Sequence, residues 1–158
     1  MPVGTYDFGG GIVSRNGNVE VLLTPVVNAL LETPSTILSF AGVTGETYEF
    51  DLTAYYTTNA DTTGARFTVI GVGTPTSIMY RSRWTLTATT EFFTNYVAEG
   101  LPAASGATSL AAGSTATIQG RITPSADGLV EFQVASEVAI ANAVTVLAGT
   151  RLAWRQLT

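Results

Sequence analysis

The chain has 158 residues, with 12 acidic and 7 basic side chains and a net charge of −5; it contains no His, no Cys and no Lys. That composition removes the usual general base, thiol nucleophile, metal ligands, Schiff-base amine and phosphate-loop lysine. It also removes disulfides, and it makes a poor sequence-independent nucleic-acid binder, since phosphate affinity needs many basic contacts.

The strand signal, alternation with a period of two, recurs along the chain. Met1-Pro2-Val3-Gly4 carries no basic leader, so no cleavable signal is expected. No stretch approaches the roughly 20 apolar residues of a membrane helix. Asn16-Gly17 is a type I′ hairpin signal and should join Gly11–Ser14 to Val19–Leu23. Thr24–Leu31 reads either as a short helix, with Thr24 as cap and Pro25 in the first position, or as an irregular strand.

Tyr48, Phe50, Leu52, Ala54 and Tyr56 fall on one face of the next segment, opposite Glu49, Asp51, Thr53 and Tyr55. Asn59–Gly64 is a loop, and Phe67 and Val69 alternate with Arg66 and Thr68. After the turn Gly73-Thr74-Pro75-Thr76 comes the clearest run. Ile78, Tyr80, Trp84, Leu86 and Ala88 share a face opposite Met79, Arg81, Arg83, Thr85 and Thr87. Ala98–Ser114 is rich in Ala, Gly and Ser and loses the period. It reads as a long surface loop, either functional or a tolerated insertion.

Strand character resumes at Ile118 and Ile122, at Val130, Phe132 and Val134, at Val144 and Val146, and at Leu152 and Trp154, with a turn at Pro124–Gly128. β-branched and aromatic residues dominate these runs, as a half-buried pleated surface prefers. The expected fold is all-β: an antiparallel β-sandwich, jelly-roll-like, or a barrel. One domain over 1–158 suits a chain of this length, which can bury roughly 70% of its unfolded surface. The expected core is Ile78, Tyr80, Trp84, Leu86, Phe132, Val134 and Trp154.

Candidate chemistry is sparse. Glu49 and Asp51 stand two apart on one strand face. Such a pair can serve as acid and base or hold a hard cation; more simply, it is the solvated or interface side of the strand. Arg81 and Arg83 have the same spacing, and Arg151 and Arg155 flank Ala153. Two Arg spaced about 7 Å along a strand match two carboxylates on a neighbouring strand or subunit. Arg81, Arg83, Glu49, Asp51, Arg151 and Arg155 are therefore the expected interface residues. Trp84 and Trp154 lie on apolar faces and are expected in the core rather than stacked on a ligand. No phosphate loop or nucleophile elbow occurs, so no catalytic, cofactor or metal site is expected. Charged residues make up only 12% of the chain, against about 25% in ordinary domains. A neutral surface of that kind suits a partner subunit, and a homo-oligomer, a trimer, is expected.

The C-terminal part resembles a β-sandwich module of tailed-bacteriophage structural proteins. The matching residues are Ile118-Gln119-Gly120-Arg121-Ile122, then Gly128 through Phe132 to Val134-Ala135-Ser136-Glu137. They continue with Val144-Thr145-Val146-Leu147-Ala148-Gly149-Thr150 and Leu152-Ala153-Trp154-Arg155. Phe67–Gly71 and Pro75–Arg81 look like an earlier strand pair of the same module. Thr150 stands where Ser is more usual. The resemblance covers roughly Tyr48 to Thr158 and leaves residues 1–47 outside it as a candidate docking segment. It implies a virion component assembled in the host cytoplasm, with no catalytic residues to carry over. The expected role is a capsid decoration or cement protein, partnered by itself and by the major capsid protein or other virion proteins. A tail, baseplate or receptor-binding tip protein is the alternative within that class. A carbohydrate-binding module is the alternative outside it.

Overall fold

The computed structural model describes residues 7–8, 11–12, 18–29 and 33–157. Thirteen strands run through them, with no helix among the described residues: β1 (Asp7–Phe8), β2 (Gly11–Ile12), β3 (Asn18–Val21), β4 (Val26–Asn28), β5 (Ser35–Gly42), β6 (Thr47–Thr58), β7 (Ala65–Ile70), β8 (Ser77–Thr87), β9 (Thr90–Tyr96), β10 (Ser114–Thr123), β11 (Gly128–Ser136), β12 (Val144–Val146) and β13 (Arg151–Leu157). The segment with two readings, Thr24–Leu31, carries strand β4. The Asn16-Gly17 hairpin turn lies outside the described residues.

An eight-stranded sheet runs β3-β13-β6-β10-β8-β9, and β12 joins it by pairing with both β6 and β4. A three-stranded sheet runs β5-β11-β7, and β1 pairs with β2. All pairings are antiparallel. The two larger sheets pack face to face as a β-sandwich, as expected from the alternation. Strands β3, β4 and β5 show that segments before Tyr48 contribute to the sandwich itself.

The core lies between the sheets and follows the period of two. Tyr48, Phe50, Leu52, Ala54 and Tyr56 of β6 are buried, as are Ile78, Tyr80 and Trp84 of β8 and Val130, Phe132 and Val134 of β11. Leu86 and Trp154 pack against this core while partly buried. Rings link the two layers. Trp154 stacks on Phe40 at 5.3 Å, and Phe50 meets the edge of Phe132 at 5.1 Å. Phe67 touches both Tyr56, at 5.1 Å, and Trp84, at 6.1 Å. Ring pairs in these tilted and edge geometries add to the area they bury.

Two of the motif residues have clear physical roles. Gly120 of β10 lies against β8, where an added Cβ would come within 2.6 Å of Tyr80 Cα. Only glycine allows the two backbones to approach so closely. Thr150 is fully buried at the point where the partner of β6 changes from β12 to β13. Its Oγ1 accepts from the Tyr55 amide at 3.1 Å, and the Leu147 amide donates to Tyr55 O at 2.7 Å. The hydroxyl stands in for a missing ladder carbonyl. Gly149, at φ 89°, makes the turn that brings it there. Serine carries the same oxygen, which explains why either residue suits this position.

Two stability measurements test this architecture. Trp84→Ala should lower unfolding free energy by about 3–5 kcal/mol in urea titration, and a loss below about 1 kcal/mol would mean the inward face is misassigned. Thr150→Val should cost about 1–3 kcal/mol through the unpaired Tyr55 amide, with Thr150→Ser retaining most of the stability; equal losses in the two variants would remove the hydroxyl's role.

Candidate functional site

Residues that alternate with the core in the eight-stranded sheet all project to its outer face. β6 contributes Glu49, Asp51, Thr53 and Tyr55, and β8 contributes Met79, Arg81, Arg83 and Thr85. β10 adds Thr117, Gln119 and Arg121; β13 adds Arg151, Ala153 and Arg155. The registers set their rows. Arg155, Glu49, Arg121 and Met79 lie side by side across β13, β6, β10 and β8. Ala153, Asp51, Gln119, Arg81 and Asn95 form the next row, which reaches β9. All six residues expected at an interface share this one face.

Their pairing differs from the spacing argument. Strand β10 stands between β6 and β8, so the Arg81/Arg83 pair does not meet the Glu49/Asp51 pair directly. Arg81 Nη2 donates to Gln119 Oε1 at 2.8 Å, and Gln119 Nε2 donates to Asp51 Oδ2 at 2.6 Å. Gln119 thus bridges the guanidinium and the carboxylate. Glu49 is taken by Arg155, whose Nε and Nη2 lie 2.8 and 2.5 Å from the same oxygen, Oε2. Arg83 pairs with Glu91 of β9 at 3.0 Å. The Arg81 guanidinium also lies over the Phe93 ring, 5.9 Å from its centroid.

Arg121 and Arg151 are exposed, and neither has an ion pair or side-chain hydrogen bond among the described residues. Sequence reasoning missed Arg121. The signal was present: with Ile118 and Ile122 inward, residues 119 and 121 must point outward. Large apolar side chains share the face. Met79 is 62% exposed, Phe93 53% and, just past the end of β9, Val97 78%. The twisted sheet makes an open depression of about 950 Å³ here, lined by Val19, Asp51, Met79, Arg81, Gln119 and Arg151 among others.

The long loop 97–113 has no strand, as expected, but it is strapped down over β7 rather than standing free. Glu137, next to the end of β11, accepts from Ser105 N at 2.5 Å, Ser105 Oγ at 2.8 Å and Ala107 N at 2.5 Å. Thr68 Oγ1 donates to Gly100 O at 2.7 Å, and Ser109 Oγ lies 2.7 Å from Thr58 Oγ1. This cover explains why β7 is buried on both faces, with the polar Arg66 and Thr68 inside. At the other end of the loop Glu99 accepts from the Gly71 amide, and partial burial raises its pKa above the ordinary carboxylate value.

No group of three or more acidic, His or Cys side chains placed to hold a metal occurs among the described residues. Compared with known proteins, the chain matches no family model and no curated relative.

Double-mutant cycles check the pairing. Arg155→Ala with Glu49→Ala should couple by about 0–1 kcal/mol, as expected for a half-exposed pair. Arg81→Ala with Glu49→Ala should couple less than that. A larger coupling for the second pair would overturn the Gln119-bridged arrangement.

Proposed function

We propose that this chain is a bacteriophage virion structural protein, a capsid decoration or cement protein that works as a homo-oligomer, a trimer, without catalytic chemistry. The observation that supports this reading is the outer face of the eight-stranded sheet. In a chain poor in charge, that face gathers Arg beside exposed Met79 and Phe93. Arg, Met and aromatic side chains are the ones enriched where proteins meet. The resemblance to the phage module adds weight, because Gly120, Glu137 and Thr150 of the matching segments each have a structural task here. Glu49 and Asp51 are both engaged by neighbours on an open face, an arrangement suited to setting register in a contact. The role is mechanical: the sandwich occupies a gap between shell subunits, and binding to the assembled lattice stabilises that state by mass action. Trp84 is 1% exposed and Trp154 stacks on Phe40, so neither is presented as a sugar platform.

Quantitative mass spectrometry of purified virions from the phage encoding the chain tests this. On the order of hundreds of copies per particle is the expected result, from a trimer filling a lattice of repeated shell sites. About a dozen copies or fewer would move the protein to the tail, and none would overturn the virion reading. Sedimentation of the isolated protein checks the oligomer: a monomer at micromolar concentration would remove the self-sufficient trimer.

A further inference from the structure

Five of the seven Arg, namely Arg81, Arg83, Arg121, Arg151 and Arg155, lie on the outer face of the eight-stranded sheet, against three carboxylates, Glu49, Asp51 and Glu91. Among the described residues that face therefore carries a formal +2, on a chain of net −5. A positive face on an acidic chain selects its partner by charge.

We propose that this face docks an extended, carboxylate-bearing segment of a partner protein, with Arg121 and Arg151 as the anchors. Three observations converge. The guanidiniums of Arg83 and Arg155 are engaged by Glu91 and Glu49, and that of Arg81 by Gln119. Arg121 and Arg151 keep their forks open among the described residues, and a planar fork matches a carboxylate. From their registers, Arg121 opposite Glu49 and Arg151 opposite Thr53, the two anchors stand two strands and four residues apart, about 17 Å. One small acid cannot bridge that span, whereas an extended chain covers it in about five residues. Val19 lies beyond the Arg151 strand, and Met79 and Val97 beyond the Arg121 strand, apolar contacts that flank the anchors for the partner's neutral side chains, while Asp51 of β6 stands midway between the anchors.

The interleaved Glu49, Asp51 and Glu91 disfavour a nucleic-acid strand, whose unbroken negative charge would meet them. They also orient a protein segment, which must set its own donors or neutral residues against them. A second copy offering this same face would bring positive against positive. The inference rests on reading the chain as an assembly protein. The titration below needs no virion, so its failure is separable from failure to find the chain in particles.

The test uses the full chain, 15N-labelled, observed through its arginine Nε–H signals. The probe is an end-blocked dodecapeptide with Glu at alternate positions and Val or Thr between. Its counterpart with Gln for Glu and a twelve-nucleotide oligothymidylate serve as competing ligands. The expected result is saturable binding of the Glu peptide that shifts the Arg121 and Arg151 signals and weakens with salt. R121Q or R151Q should each weaken it roughly fivefold, at an unchanged thermal midpoint. Equal binding of the Gln peptide, tighter binding of the oligonucleotide, or no binding of the Glu peptide would each overturn the proposal. So would concentration-dependent self-association lost in R121Q, since that would assign the face to a second copy.

Discussion

Strand β6 is the member on which the rest of the sandwich depends. It is 12 residues long, longer than any other strand described, and it is paired along both edges. One edge takes β10 along most of its length. The other edge is shared: β13 pairs with Thr47–Thr53 and β12 with Tyr56–Thr58. Between the two the ladder would be broken at Tyr55. The Leu147–Thr150 turn closes that gap with one backbone amide and one hydroxyl. A buried amide left unpaired there would cost about as much as a lost hydrogen bond. The hand-over therefore holds the edge β3-β13 and the β12-β4 extension in one continuous sheet.

The same strand shows how far the sequence reaches. Its pattern from Tyr48 to Tyr56 determines its inner and outer faces, because the period of two admits only one way to bury five apolar residues on one side. The same logic holds for β8 and β11, and the expected core follows from it. The order of strands does not. Two pairs with matching spacing, Glu49/Asp51 and Arg81/Arg83, look as if they should meet. Spacing is a property of one strand, whereas adjacency depends on which strand lies between. Here β10 intervenes, and Gln119, a residue with both a donor and an acceptor, bridges the two charges. Nothing local to residues 49–51 or 81–83 announces that.

The long loop was legible as a loop but not as a cover. Its Ala, Gly and Ser residues give no period, so sequence reasoning places it at the surface by default. What ties it down is distant in the chain: Glu137, 30 and 32 residues away from its partners Ala107 and Ser105. A carboxylate next to the end of a strand carries no label saying that it will order a segment so far away. The polar residues of β7 did carry a hint. Arg66 and Thr68 alternate with Phe67 and Val69 and would be solvent-facing in a two-layer protein, yet both are buried. A polar strand face that ends up inside needs hydrogen-bond partners, and two carbonyls of the loop accept from it, Pro102 O from Arg66 and Gly100 O from Thr68.

These constraints place the chemistry of the chain on one side. The inner face of the large sheet is committed to packing, and the three-stranded sheet is partly roofed by its own loop. Among the described residues the outer face of the large sheet is the broad surface left open, and it is where five of their Arg side chains gather. A chain without Lys presents its positive charge only as guanidinium, which is planar, weakly hydrated and stacks on rings, as Arg81 does over Phe93. Such a group loses less on desolvation than an ammonium. A face built from Arg, with Met79, Phe93 and Val97 beside it, is suited to being covered, whereas Lys in the same places would favour staying in water. The composition that strips the chain of common catalytic groups is thus also the one that makes this surface cheap to desolvate.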